Sequence, residues 1–565
     1  MTTTHQRLYL HTLATVSALA TLAAMPALAQ DERRGSIDQL TDVITVSATK
    51  SVDPEDQQDV PLAVTAFNAA SLDALNVQTL EDLSFSSPNV VLDDLGTSRG
   101  QANFSIRGLG INSSIGSVDP AVGVFVDGVY IGTNLGVVFD IFDLDSVEVL
   151  RGPQGVLFGR NTTGGAVLIN TGNPTDEFEG KATYIVETPV DDDRGGVNQT
   201  IMATVSGPLV PGKLNGKISA YHNDDQGYFE NLFDGRDIGA AETTIVRGAL
   251  EWMATDDLNF LVKAEYFDSL NDGPVAQNRG AFRRDSFDVA IDEPGLVDIQ
   301  VTNLSLRGDW DLNFGTLTNI FGYRTVDQET RGDIDALPIF IFHSDTLTEG
   351  EQISNELRYA GTWGAFDVKG GLFYFNQDIA VDEIRDFGSS PIPLIGGGRQ
   401  DQTVLGVFGQ IDWNVTDTLK LIGGLRYGYE EKDVSIAYVI ARPDGACSVV
   451  NGTCPTDDIN TNGFNDTDDW SNLGPKLGFQ WTPKDDMQVY GSWTRAFRSG
   501  GYNFRITNVA GFLGQVEQLG QIATDEEQVD SFEIGTKFDV LDGRGQINSA
   551  FFVSEISDLQ REVNL

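Results

Sequence analysis

Positive charge is scarce in this chain: 37 Lys and Arg stand against 83 Asp and Glu, a formal net charge of −46. That balance argues against nucleic acid as a partner, because phosphate contacts need a basic face. The acid excess reads as solvated loops that keep the protein soluble, or as a supply of ligands for divalent cations and cationic solutes. Histidine is rarer still. Of the four, His5 and His11 lie in an N-terminal segment treated below, and His222 and His343 have no haem-type motif around them, so each reads as a solvated side chain. There is no nucleophile–base pair and no metal-ligand spacing, so nothing supports an enzyme, a resident metal or a cofactor.

Long apolar runs are also missing. Beyond the N-terminus no stretch approaches the ~20 apolar residues that a membrane helix needs. A membrane β-barrel passes that test unseen, because its strands alternate lipid-facing and lumen-facing residues and average to an unremarkable hydropathy. No repeat of fixed period occurs, which disfavours a soluble propeller or solenoid. Cysteine is limited to Cys447 and Cys454, seven apart in DGACSVVNGTC.

What is present begins with an export signal over residues 1–29. Arg7 precedes a mostly apolar run from Leu8 to Ala24, and Ala27, Leu28 and Ala29 form a small-x-small cleavage pattern before Gln30. Export implies an oxidising compartment, so a Cys447–Cys454 disulfide closing a small loop is favoured; a metal site would want more ligands. The polar leader, residues 30–60, contains one β-prone run, Asp42, Val43, Ile44, Thr45, Val46, Ser47 and Ala48. It reads either as the first strand of the next domain or as an exposed strand able to add to a partner's sheet.

Residues 61–174 read as a small α+β domain. VPLAVTAFN is strand-like, SLDAL and VQTLEDLS have helical spacing, and SPNVVLDD and NFSIRGLG return to strand and turn. In VGVFVDGVY an Asp127-Gly128 pair between alternating apolar residues predicts a hairpin. VEVLRGPQGVLFGRNTTGGAVLIN follows, with strands at both ends and Gly152, Gly155, Gly159, Gly164 and Gly165 between them. That glycine density predicts positive-φ turns and close backbone approach rather than a helix. It contains neither a phosphate loop nor a dinucleotide fingerprint.

From residue 179 the texture changes to period-two amphipathic segments with aromatic residues near their ends, the pattern of transmembrane barrel strands. About fifteen can be counted, from KATYIVET to GQINSAFFVSEI. Tight connections such as MATDDL and TPKDD alternate with long polar ones at 271–295, 327–349, 379–402, 434–469 and 498–525. Short turns on one side and long loops on the other are a barrel's habit. Carboxylates at Asp457, Asp458, Asp466, Asp468 and Asp469 cluster near the cysteines, but their spacing does not match an EF-hand loop.

VEVLRGPQGVLFGRNTTGGAVLIN resembles the end of the plug domain in TonB-dependent outer-membrane receptors of the iron-siderophore type. FSIRGLG and VGVFVDGVY are similar to plug signatures of the same family and occur in the same order. The resemblance implies an α+β plug domain inside a transmembrane antiparallel β-barrel, with residues 42–48 as the TonB box. It marks Arg107, Gly108, Asp127, Gly128, Glu148, Arg151, Gly152, Pro153, Gly155, Gly159, Arg160, Gly164 and Gly165 as plug-motif positions. It further implies that Arg107 and Arg151 latch the plug to inward-facing wall glutamates, for which Glu356 and Glu533 are the candidates. In a hydrated lumen such pairs would be weak and reversible.

The function so implied is energy-coupled uptake in the Gram-negative outer membrane, among its lipid and lipopolysaccharide. The partners would be TonB with its inner-membrane energising complex and a ferric siderophore or another small solute. Uptake of a carbohydrate or other organic nutrient is the alternative, and a passive porin or adhesin the alternative of a different class. Plugged barrels have about 22 strands. Fifteen strands ending in REVNL therefore read as an incomplete barrel over 179–565, truncated at its C-terminal side.

Overall fold

The computed structural model describes residues 44–561 apart from 96–97, 112, 191–194, 284–285, 443–445 and 542–543. The expected signal and residues 30–43 of the leader, Asp42 and Val43 among them, lie outside the described residues.

The dominant element is a 15-stranded antiparallel sheet running from Glu179–Glu187 to Gly545–Ser557. Sequence neighbours pair with one another throughout, and the first and last strands do not pair with each other. Its two faces invert the usual arrangement. Outward positions such as Ile218, Leu250, Leu304, Leu357, Leu405, Leu425, Leu477 and Phe551 are apolar and exposed, whereas inward positions such as Gln352, Gln377, Gln402, Gln410 and Lys432 are polar and buried. A sheet can carry that pattern stably only if its outer face is covered by lipid and its inner face finds hydrogen-bond partners.

Tryptophan marks one rim. Trp252, Trp310, Trp363, Trp413 and Trp481, each 44–57% exposed, stand beside the tight turns at 256–257, 313–314, 364–365, 417–418 and 485–486. Trp252 stacks on Phe260 and Trp413 on Phe366 across neighbouring strands. Amphipathic rings gathered at one level form an interfacial girdle. Among the described residues no helix is long and apolar enough to cross a membrane.

Three of the connections expected to be long are shorter than the sequence pattern implied. Strands of 22 or 23 residues continue the ladder well beyond the ~9–11 residues that span a bilayer. Among the described residues of these three, only 334–341, 388–393, 442 and 446–462 leave it. The reason is physical: above the bilayer both faces meet water or polar groups, so apolar alternation stops while backbone pairing goes on. The connection after Met487–Arg498 is long as expected and carries an 11-residue helix, Val509–Leu519.

Inside the wall sits a five-stranded mixed sheet whose neighbour order is Val64–Asn68, Leu144–Arg151, Gly165–Thr171, Val122–Val126, Val129–Ile131. Asp127 (φ 50°) and Gly128 (φ 81°) form the expected two-residue hairpin turn. Phe67, Leu72, Leu83, Ile106, Val147 and Val167 build the plug's own core. A second cluster bridges plug and wall, with Leu150, Tyr130 and Phe158 packed against Phe375, Val404 and Phe408. Each such buried side chain contributes about 1.5–3 kcal/mol.

The glycine-rich stretch departs from expectation in one respect. Gly152, Gly159 and Gly165 have positive φ, but Gly155–Phe158 forms a single helical turn. A Cβ on Gly155 would stand 3.0 Å from the Ala496 methyl on a wall strand, so the bare backbone is what lets this turn touch the wall.

Candidate functional site: the plug–wall interface and the buried box

The described part of the box, Ile44–Ala48, is not a free strand. Thr45 and Val46 pair antiparallel with Asp56 and Glu55, and Val46 and Ala48 are fully buried. Glu148 closes the arrangement from the middle of a plug strand. Its carboxylate accepts from the Ser47 N–H (2.9 and 3.1 Å), the Ser47 hydroxyl (2.7 Å) and the Ala48 N–H (3.1 Å). Burial pushes the Glu148 carboxyl up, and these donors pull the other way. A partner's strand could reach this backbone only after Glu148 let go.

Beyond the box the chain is tied to the wall one group at a time. Lys50 Nζ lies 2.8 Å from both Glu356 oxygens and faces the rings of Phe158 and Phe408. Burial brings the Lys50 ammonium down to about 8, against the pull of Glu356. Lys537 donates to the carbonyls of Gln57 (2.5 Å) and Val60 (2.7 Å), and Gln480 donates to the Asp59 carbonyl at 2.7 Å.

Arg107 and Arg151 part company. Arg107 Nη1 lies 2.6 Å from Glu533, with side chains only 5% and 9% exposed, and its guanidinium covers the Phe552 ring at 4.1 Å. The guanidinium passes where a Cβ on Gly152 (φ 91°) would stand 2.5 Å away, so position 152 must be glycine on two counts. Arg151 makes no ion pair within 4.0 Å among the described residues; it donates to the Pro88 carbonyl at 3.4 Å and sits beside Arg107. Glu356 is engaged by Lys50 and, at 3.3 Å, by Arg358, so neither arginine reaches it. The Arg107–Glu533 contact is also drier than the hydrated pair expected from sequence.

At the plug's waist the charges form a network. Arg160 reaches Asp119 (3.3 Å), Glu430 (2.7 Å) and the Ser499 hydroxyl (2.9 Å). Lys432, fully buried, meets Asp119 at 2.5 Å and Glu430 at 3.5 Å. Asn161 donates to Asp119 (2.7 Å) and to the Tyr130 hydroxyl (3.1 Å), and accepts from the Ser499 N–H at 3.0 Å. Burial alone would raise the Asp119 carboxyl, but Lys432 and Arg160 outweigh it and hold it below the usual carboxylate range. Burial drives the Tyr130 phenol up to about 12. Asp127, at the hairpin turn, also meets the wall through Lys263 at 2.8 Å.

Cys447 and Cys454 form a disulfide, with an S–S distance of 2.02 Å. The nearby carboxylates serve the loop itself: Asp458 caps Asn460 and Thr461, Asp457 takes the Asn462 amide, and Asp466 accepts from Tyr502. Among the described residues they make no convergent group of metal ligands.

Two family models match the chain, the TonB-dependent receptor plug domain over residues 56–166 and the TonB-dependent receptor-like β-barrel over residues 249–565. The chain belongs to the TonB-dependent receptor family. The pesticin receptor of Yersinia pestis is 24% identical over 563 residues, covering 95% of this chain and 73% of the relative. That of Yersinia enterocolitica serotype O:8 is 24% identical over 486 residues, covering 81% and 62%. Among solved structures, the ferric yersiniabactin uptake receptor FyuA of Yersinia pestis superposes with a TM-score of 0.72 at 20% identity, covering 89% of this chain and 73% of that one. The unliganded ferric citrate transporter FecA gives 0.70 at 14% identity, covering 92% and 74%.

Several residues of this receptor's interface gave no sequence signal. Lys50, Asp119, Glu430, Lys432 and Ser499 carry no local motif, and the pairs they make join residues up to 339 apart. Arg160 was marked by its glycine-rich setting; its carboxylate partners were not.

Proposed function

We propose that this receptor binds a bulky, scarce solute at its long-loop face and passes it to the periplasm, drawing on TonB and its inner-membrane energising complex. A ferric siderophore is the leading cargo, supported by relatives described as a ferripyoverdine receptor and a ferrioxamine B receptor and by the fold shared with FyuA. Residues 1–29 would direct export, 61–174 would form the plug and 179–565 the outer-membrane wall. The observation that carries the reading is the box held by Glu148: a short β-competent segment buried against the plug, fixed by bonds that a competing strand could replace.

Deleting residues 42–48 tests it. Uptake of radiolabelled ferric siderophore should fall to background while surface display is unchanged. Uptake that survives would favour a passive porin or adhesin. Vitamin B12 uptake is named for one relative, 27% identical over 139 residues, so an organic nutrient is the second reading. Growth of a gene-deletion strain on a panel of iron sources and oligosaccharides separates the two cargo classes.

A further inference from the structure

Three ligand-bearing side chains that the plug–wall interface does not use meet among the outer loops. Asp333 ends the strand Gly315–Asp333, and His343 stands directly opposite it near the start of Phe342–Trp363. Asp292 arrives from a separate connection, just beyond a three-stranded loop sheet made of Phe229–Asn231, Arg236–Ile238 and Asp288–Val289. That sheet packs on Ile238, Val289 and Ile291, which fixes where Asp292 can lie. His343 Nε2 is 3.2 Å from Asp292 Oδ1, and one ligand atom from each of the three residues falls within 4.8 Å of the others.

The cluster is short of partners. Asp333 is 3% exposed; one of its oxygens accepts from the Ala336 N–H at 2.8 Å, and Oδ2 is buried without any hydrogen bond. Asp335 beside it repeats the pattern: Oδ2 accepts from the N–H groups of Ile341 and Phe342, and Oδ1 is buried and unpaired. Among the described residues no lysine or arginine lies within 4.0 Å of Asp292, Asp333 or Asp335. A buried acceptor left unsatisfied is costly, and the nearly fully buried Asp333 carboxylate, grouped with Asp292 and His343, marks a position built for a cation.

We propose that Asp292, Asp333 and His343 bind one divalent transition-metal ion of the Zn²⁺ class, pinning the connection at 272–295 to the hairpin loop at 334–341. An imidazole nitrogen with two carboxylates suits Zn²⁺ and its neighbours, whereas Ca²⁺ collects six to eight oxygens. Donors about 2.1 Å from a tetrahedral metal stand roughly 3.4 Å apart. The Asp292–His343 pair already has that spacing, and the third donor closes the remaining gap by side-chain rotation. The fourth position is left to water.

The test uses the full chain, free of any histidine tag, stripped with chelator and titrated with ZnCl₂ by calorimetry, with bound metal counted after dialysis. One Zn²⁺ per chain at micromolar affinity or tighter is expected, with a Zn²⁺-dependent rise in melting temperature. His343→Gln and Asp333→Asn should each weaken binding at least tenfold and abolish that rise; His222→Gln and Asp457→Asn should do neither. His343→Gln alters a partly open side chain, so it separates loss of the site from loss of the fold that Asp333→Asn could cause. Sub-stoichiometric Zn²⁺, undiminished affinity in His343→Gln, or Ca²⁺ bound as tightly as Zn²⁺ would overturn the proposal.

Discussion

The arm that carries the box and the waist of the plug meet the same wall in different ways. At the waist every charge has at least two partners: Asp119 meets Arg160 and Lys432, and Glu430 meets the same two cations as well as Ser499. On the arm contacts are nearly one to one, Lys50 with Glu356, Lys537 with two carbonyls, Gln480 with one. A network resists loss of any member, because each removal strands another buried charge. A string of separate contacts can open in sequence, each step exposing little. The difference suits a plug that stays seated while its leading segment comes out.

The largest expected effect is therefore at the waist. Arg160→Ala leaves Asp119 and Glu430 short of a cation in a dry site, and should cost about 3–5 kcal/mol. A lower melting temperature and entry of bulky antibiotics normally kept out would show it; a neutral substitution would mean the network is not what seats the plug. Arg107→Ala should cost less, about 2–3 kcal/mol, because Glu533 keeps the Tyr490 hydroxyl as a donor at 2.9 Å. Arg151→Ala should cost less again, since that residue has no carboxylate in reach. If Arg151→Ala proved the more damaging of the two, the assignment of the latch to Arg107 would be wrong.

The smallest effect lies at the edge of the network. Glu526, in the loop after the outer helix, has its carboxyl raised from 4.5 to about 7, chiefly by burial and also by Glu430 and Asp525, against the amide of Asn472 and the charge of Lys432. With the folded value raised, the folded state holds the proton better. The cost of ionising Glu526 is absent below about pH 4.5, grows as pH rises and is complete above about 7. Glu526→Gln should thus change nothing at pH 4 and stabilise the receptor at pH 8 by about 1 kcal/mol, the full shift being discounted because the group is partly open to water. Denaturant midpoints at the two pH values measure it.

Much of this architecture is legible in the residues, for reasons that differ by region. Asp127-Gly128 announces its hairpin because only a few residue types adopt the two positive φ values that the turn demands. The wall is legible while one face meets lipid, since exposed Ile353 and Leu357 alternate with buried polar Gln352, Ser354 and Glu356. It stops being legible where strands rise clear of the bilayer, which is why 379–402 reads as a loop and folds mostly as ladder. The polar interface is legible only on one side. Arg107 and Arg160 sit in recognisable motifs, while Glu430, Lys432 and Lys50 are set by register between distant segments. The burial of the box was hidden for the same reason: its anchor, Glu148, lies 101 residues beyond Ser47.

The held box is open to direct measurement, because both cysteines of the described chain are in the disulfide and none is free. Val46→Cys, at a fully buried position, reports docking through its rate of labelling by a membrane-impermeant maleimide in the purified receptor. Labelling should be slow in the otherwise unchanged chain, at least tenfold faster when Glu148→Gln is added, and unaltered by Glu526→Gln. Fast labelling without Glu148→Gln, or equal rates with and without it, would contradict a box held in place by Glu148.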